Sequence, residues 1–285
     1  MCLGGEDNSY CKIKNEWQRE REIILNKKIV KKSLLVFLVT VGLFSGFLFL
    51  RGWRVYFQNG IFYYSREPMH NPSLPVVNPI SARMRDFHIR NGVLFSYTGS
   101  SEHVIIPDGV TYIGQSAFIG NQYVRTVYIP QGVNTIDRYA FAHASFLEAI
   151  NIPDSVTFIG DDSFYNCKSL KAIYIPDSVA TIGIGAFSGC RALASVRLSE
   201  NLTFISPGVF VGTALEHIKI PKGITEIQFD AFARIDSLIS IQIPESVIDI
   251  HEIAFLHTNN VTIYGKSGSY AEEFANLMNI PFVEK

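Results

Sequence analysis

Ile152-Pro153-Asp154-Ser155-Val156-Thr157-Phe158-Ile159-Gly160-Asp161-Asp162-Ser163-Phe164-Tyr165-Asn166-Cys167-Lys168-Ser169-Leu170-Lys171-Ala172-Ile173-Tyr174-Ile175-Pro176 opens and closes on the same Ile-Pro pair, and that return after 23 residues decides the architecture. Outward from this stretch the prolines recur as Pro107, Pro130, Pro221 and Pro244, with Ser199 in the proline position of the fifth unit. An aromatic residue keeps step eleven positions later, at Phe118, Phe141, Phe164, Phe187, Phe210, Phe232 and Phe255. The chain therefore holds seven repeats, with one slip to a spacing of 22 between Phe210 and Pro221. A fixed period of this length is the signature of a stacked-repeat protein, whose units lie on their neighbours and bury a continuous core.

Each offset within the unit has its own chemistry. Three residues after the proline position come Val110, Val133, Val156, Val179, Leu202, Ile224 and Val247. Six after it come Ile113, Ile136, Ile159, Ile182, Ile205, Ile227 and Ile250. Residues at one offset must stack on one another in successive coils, and a single coil buries too little to offset the entropy of ordering it. Before each proline the sequence alternates, as in Thr126-Val127-Tyr128-Ile129, which predicts a short parallel strand with one inward and one outward face. Proline then ends the strand and the following polar pair makes the turn. Gly114, Gly160 and Gly183 are expected to permit tight turns.

The ends of the array are also legible. Phe87–Tyr97 places Asn91-Gly92 between two alternating runs, the signal of a two-residue hairpin, at the position where a solenoid needs a cap. Asn59-Gly60 gives a weaker hairpin signal upstream. Only eight residues separate Phe255 from Ile263, and Ser269–Asn279 reads as a short amphipathic helix covering the open end.

Residues 33–50, SLLVFLVTVGLFSGFLFL, are uncharged and long enough to cross a bilayer core. A cleaved signal peptide is disfavoured because 32 residues precede the run and Arg51-Gly52-Trp53-Arg54 follows in place of a cleavage site. Six Lys and Arg between Arg19 and Lys32 hold the amino terminus in the cytoplasm and put the repeats outside. The expected organisation is a cytoplasmic tail (1–32), a transmembrane helix (33–50), a proline-bearing juxtamembrane stalk (51–86), a solenoid (87–265) and a C-terminal cap (266–285). The fold class is a mainly-β repeat solenoid with one short parallel strand per repeat, plus the separate transmembrane helix.

Residues 1–50 carry a net +3 and residues 51–285 a net -4, so the folded part lacks the basic excess of a nucleic-acid binder. Cys2, Cys11, Cys167 and Cys190 form no metal-ligand pair. Cys167 and Cys190 share an offset on adjacent coils, where parallel side chains fit disulfide geometry poorly, so both are expected as buried free thiols. The seven histidines recur at no common offset, and no nucleophile, phosphate-loop or metal motif is present. No cofactor, metal or catalytic residue is expected.

The pattern I-P-D-S-V-x-x-I-G-x-x-A-F-x-x-C-x-x-L-x-x-I-x-I-P, read over Ile152–Pro176 with Ser163 in place of the alanine, closely resembles the BspA-like, or Treponema-type, leucine-rich repeat family. The resemblance covers roughly residues 87–285. It implies a leucine-rich-repeat-like right-handed coil and, as a class, microbial surface proteins that bind host or neighbouring-cell proteins.

The outward strand stripe contains Tyr128, Asn151, Tyr174, Arg197 and Lys219 in consecutive coils. Aromatic residues beside arginine on a rigid surface favour protein contact, which makes this stripe the candidate recognition face. The expected function is non-enzymatic, adhesin-like binding of a host or neighbouring-cell protein, or of a surface glycan, by a single-pass cell-membrane protein. The alternative is a structural or assembly module of the cell envelope without a soluble ligand.

Overall fold

The computed structural model describes residues 83–285 in full, together with the backbone of β1 (Arg54–Gln58) and β2 (Ile61–Ser65). The predicted tail, the predicted membrane span and most of the predicted stalk lie outside the described residues. Among the described residues no helix is long and apolar enough to cross a membrane. β1 and β2 pair antiparallel with Gln58 opposite Ile61, the pairing expected of two strands joined by an Asn-Gly dipeptide.

From residue 83 a single 3-10 turn, Met84–Asp86, leads into β3 (Phe87–Arg90) and β4 (Val93–Tyr97), an antiparallel hairpin turned by Asn91 and Gly92, both at positive φ. Next in order come β5 (His103–Ile105), β6 (Tyr112–Ile113), β7 (Thr126–Tyr128), β8 (Thr135–Ile136), β9 (Ala149–Ile150) and β10 (Phe158–Ile159). They are followed by β11 (Ala172–Tyr174), β12 (Thr181–Ile182), β13 (Ser195–Arg197), β14 (Phe204–Ile205), β15 (His217–Lys219) and β16 (Glu226–Ile227). β17 (Ser240–Gln242), β18 (Asp249–Ile250), β19 (Thr262–Gly265), α1 (Tyr270–Leu277) and β20 (Phe282–Glu284) complete the chain.

The coil therefore has two strands per repeat, where the sequence predicts one. From β5 to β17 the odd-numbered strands precede the proline position, and with β19 they pair parallel in three groups, β5–β7–β9, β11–β13 and β15–β17–β19. The even-numbered strands end on the inward Ile six residues after the proline position and form a second parallel ladder. Two residues are too few to show a period of two, which is why alternation alone misses them. β4 feeds the second ladder through Val93↔Tyr112 and Leu94↔Ile113, so the hairpin caps the edge that would otherwise be open. A third run of coil-to-coil hydrogen bonds needs no strand. Phe118, Phe141, Phe164, Phe187, Phe210 and Phe232 each donate their N–H to a carbonyl of the following coil at 2.6–3.1 Å.

Left-handed backbone falls in this third segment, at Ser116, Tyr139, Asp162, Gly185, Gly208 and Asp230, nine residues after each of the first six proline positions. Gly114, Gly160 and Gly183 are not turn glycines. A Cβ on Gly160 would stand 2.6 Å from the Arg138 nitrogen and one on Gly183 2.4 Å from the Asp161 nitrogen, so these sites serve close approach of coil to coil.

The core is a column. Phe118, Phe141, Phe164, Phe187, Phe210 and Phe232 are fully buried, and successive ring centroids lie 4.8–5.8 Å apart with planes within 17°. Both caps extend the column. Phe87 and Tyr97 of the hairpin continue it from Phe118 with tilted rings 4.9–5.0 Å apart, and Phe274 of α1 lies 6.0 Å from Phe255. Helix α1 buries Ala271, Phe274 and Ala275, and β20 then pairs parallel with β19, so helix and strand together close the C-terminal end. Cys167 and Cys190 are free and buried, as expected. Their thiols donate to the carbonyls of Phe141 and Phe164 at 3.1 Å, and burial pushes the Cys167 thiol well above its ordinary pKa.

Candidate functional site: the outward strand face

The odd-numbered ladder sets Ile105 opposite Tyr128 and Tyr174 opposite Arg197, so residues two before the proline position form a row one strand spacing apart. The row is less uniform than its sequence suggests. Tyr128 is 47% exposed and stands free on β7. Asn151 does not present its amide to solvent: Oδ1 accepts the Ile129 N–H at 2.8 Å and Nδ2 donates to the Ile129 carbonyl at 2.9 Å. In other coils the equivalent N–H bonds a main-chain carbonyl, as Ile106 does with Tyr128 and Ile175 with Arg197, both at 2.9 Å. The Asn151 side chain thus replaces a ladder bond, at the place where the sheet breaks between β9 and β11. The companion row also turns partly inward, because Thr126 and Ala149 are buried and Thr126 Oγ1 meets His103 Nδ1 at 2.9 Å.

Arg197 is held on three sides. Its guanidinium lies 4.9 Å over the Tyr174 ring, Nη1 donates to the Ile175 carbonyl at 2.8 Å, and Nη2 donates to Asp177 at 2.8 Å. Hydrogen bonding from Arg197, helped by the Glu200 N–H, holds the Asp177 carboxyl below the ordinary carboxylate range. This cluster ties the turn at Pro176 to the start of the fifth unit, which lacks the proline. There Ser199 is buried and its hydroxyl donates to the Val179 carbonyl at 2.6 Å, while Asn201 Nδ2 donates to the Asp177 carbonyl at 2.6 Å. Polar bonds from this turn to the preceding coil replace the stiffness of a proline.

Lys219 is exposed and lies apart from this cluster, beyond a second break in the ladder between β13 and β15. It borders a groove of about 470 Å³ that also takes in Lys222, Gln242, Glu245, Lys266 and Lys285. The stripe as read from the sequence ends at Lys219, and the strand register sets Gln242 next to it. The register Gln242↔Tyr264↔Val283 carries it two strands further and brings Lys266 and Lys285 to its side.

A second feature absent from the sequence reading is a charge ladder five residues before the proline positions. Arg125 reaches Glu102 at 3.4 Å and Glu148 at 2.7 Å, and Lys171 reaches Glu148 at 2.9 Å. Lys171 first, then Arg125, holds the Glu148 carboxyl below its ordinary range. Tabulating residues at that one offset would have found it, because Glu, Arg, Glu and Lys succeed one another there. Among the described residues no group of three or more His, Cys, Asp or Glu is placed to hold a metal ion.

Comparison with known proteins follows the same lines. No curated protein matches the chain. Among solved structures, a leucine rich cell surface protein from Faecalibacterium prausnitzii A2-165 is 28% identical over 60% of this chain and 61% of its own, with a TM-score of 0.44. A leucine-rich repeat protein from Bacteroides ovatus is 20% identical over 82% of this chain and 66% of its own, with a TM-score of 0.53. A leucine rich repeat protein from T. pallidum is 18% identical over 71% of this chain and 98% of its own, with a TM-score of 0.46. The chain thus spans less than two thirds of the length of the first two. The BspA type leucine rich repeat region is matched in six copies over residues 89–214 and 157–270. Those matches cover well over half of the sequence and coincide with the coils whose stacking has just been described, so the chain belongs to the BspA type leucine rich repeat family.

Proposed function

We propose that this protein is anchored in the cell membrane by residues 33–50, displays its repeats outside the cell and binds another protein through the outward strand face, without catalysis. Family membership supports the class of function, since leucine-rich repeat proteins generally bind proteins. A cell-surface description belongs to the Faecalibacterium relative and lends support by analogy. The observation that carries the reading is the Tyr174–Arg197 pair, stacked at 4.9 Å and fixed by Asp177 and the Ile175 carbonyl, with Tyr128 exposed two coils earlier in the same row. A pre-ordered aromatic and guanidinium surface loses little side-chain entropy on binding, the property of an interface anchor.

The test uses intact cells carrying the full chain with a tag at each end. External protease is expected to remove the C-terminal tag and spare the N-terminal one, and replacing Tyr128, Tyr174 and Arg197 together by alanine is expected to abolish attachment to host or neighbouring cells. Protection of the C-terminal tag defeats surface display. Undiminished attachment by the triple variant removes the face from consideration.

A further inference from the structure

The outward face changes character along its length. Over the early coils its flanking charges neutralise one another in the ladder from Glu102 to Lys171. At the C-terminal end the groove of about 470 Å³ gathers four lysines, Lys219, Lys222, Lys266 and Lys285, against one carboxylate, Glu245. Lys266 is paired with Glu245 at 2.5 Å, and Lys285 Nζ donates to Gln242 Oε1 at 3.2 Å. Lys219 and Lys222 have no ion-pair partner among the described residues. The side chains that line the groove therefore sum to +3, in a concave site where protein walls concentrate the field.

We infer that this groove takes an extended acidic segment of a partner protein, an inference that rests on the protein-binding reading above. Its geometry suits such an occupant. The coils carrying Lys219 and Lys285 are three strand steps apart, about 14 Å at the usual strand spacing, which four or five residues of extended peptide span. Carboxylates on alternate residues of that peptide face one side about 7 Å apart, in reach of ammonium groups on neighbouring coils. Lysine imposes no planar approach, so a flexible run of carboxylates is satisfied without fixed register. Gln242 and Tyr264 add neutral hydrogen-bonding groups along the same row for the main chain of the bound segment.

The probe is a fluorescent peptide of about ten residues alternating Glu and Ser, titrated against the full chain in detergent micelles at about 50 and 300 mM NaCl. Binding that weakens at the higher salt is expected. The pair Lys219→Glu and Lys222→Glu is expected to weaken it at least about tenfold, while Lys219→Arg with Lys222→Arg preserves it. Lys168→Glu with Arg191→Glu makes the same change of net charge at two exposed positions elsewhere and is expected to leave affinity within about threefold.

Equal loss in both charge-reversed variants, or no binding by the parent chain, overturns the inference. So does a heparin fragment that binds through Lys219 and Lys222 where the peptide does not, since the occupant is then a glycan. Peptide failure alongside loss of cell attachment in the Tyr128, Tyr174 and Arg197 triple variant overturns the groove's assignment alone. Peptide binding with a protected C-terminal tag overturns surface display and leaves the groove's chemistry standing.

Discussion

The coils before the fifth unit and those after it share one interior but differ in how they stack and how they use charge. In the first group the phenylalanine rings lie 4.8–5.2 Å apart, in the second 5.6–5.8 Å, and the change begins at Phe187–Phe210. Both ladders are also interrupted there, between β12 and β14 and between β13 and β15. That unit has Ser199 for proline and is followed by the 22-residue spacing, so a small change of length and rigidity is absorbed in the hydrogen-bonded edges while the column of rings continues. On the outward face the early coils close their charges into pairs, and the late coils gather lysines in one groove. Interior offsets are constrained because each side chain must fit between two copies of itself. Exterior offsets carry no such requirement, and function has room to differ along the array.

If the two halves share a core, removing one ring from either should cost the same. Phe141→Ala and Phe232→Ala are each expected to lose about 3–5 kcal/mol and to agree within about 1 kcal/mol. Urea unfolding followed by circular dichroism checks this, and a much cheaper Phe232→Ala would mean that the late coils are looser inside as well as outside.

A smaller effect separates ladder from surface. Asn151→Ala leaves both polar groups of the Ile129 main chain without partners and is expected to cost about 1–3 kcal/mol, with faster amide exchange at Ile129. An unchanged exchange rate would return Asn151 to the recognition face.

The smallest effect concerns the charge ladder. Glu148→Gln is expected to cost about 0.2–1 kcal/mol at neutral pH, read as a shift of the thermal midpoint. Because Lys171 and Arg125 lower the folded-state pKa of Glu148, its contribution is present above the ordinary carboxylate pKa of about 4.3. It is lost as pH falls through the depressed folded value, so the gap between parent and variant should close in acid. A gap that persists there would point to packing in place of charge.

Much of this architecture is legible in the sequence. The 23-residue period, the Phe column, the Asn91-Gly92 hairpin and the final helix follow from recurrence and turn chemistry, which are local properties of the chain. The second ladder is not, because Tyr112–Ile113 and its counterparts are too short to show alternation. The role of Gly160 and Gly183 is not either, since a glycine needed for φ and a glycine needed for space look alike in a sequence.

The sequence by itself determined that this chain stacks and which side chains fill each layer, because identical residues at identical offsets have one mutual arrangement that buries them all. Only the tertiary structure decided which outward residues are free to meet a partner. Asn151 is drawn back to a neighbouring strand, Arg197 is moored to Asp177 and Tyr174, and Lys266 and Lys285 reach the groove through the pairing of β19 with β17 and β20. Each of those outcomes depends on what the adjacent coil leaves unbonded, and no single repeat contains that information.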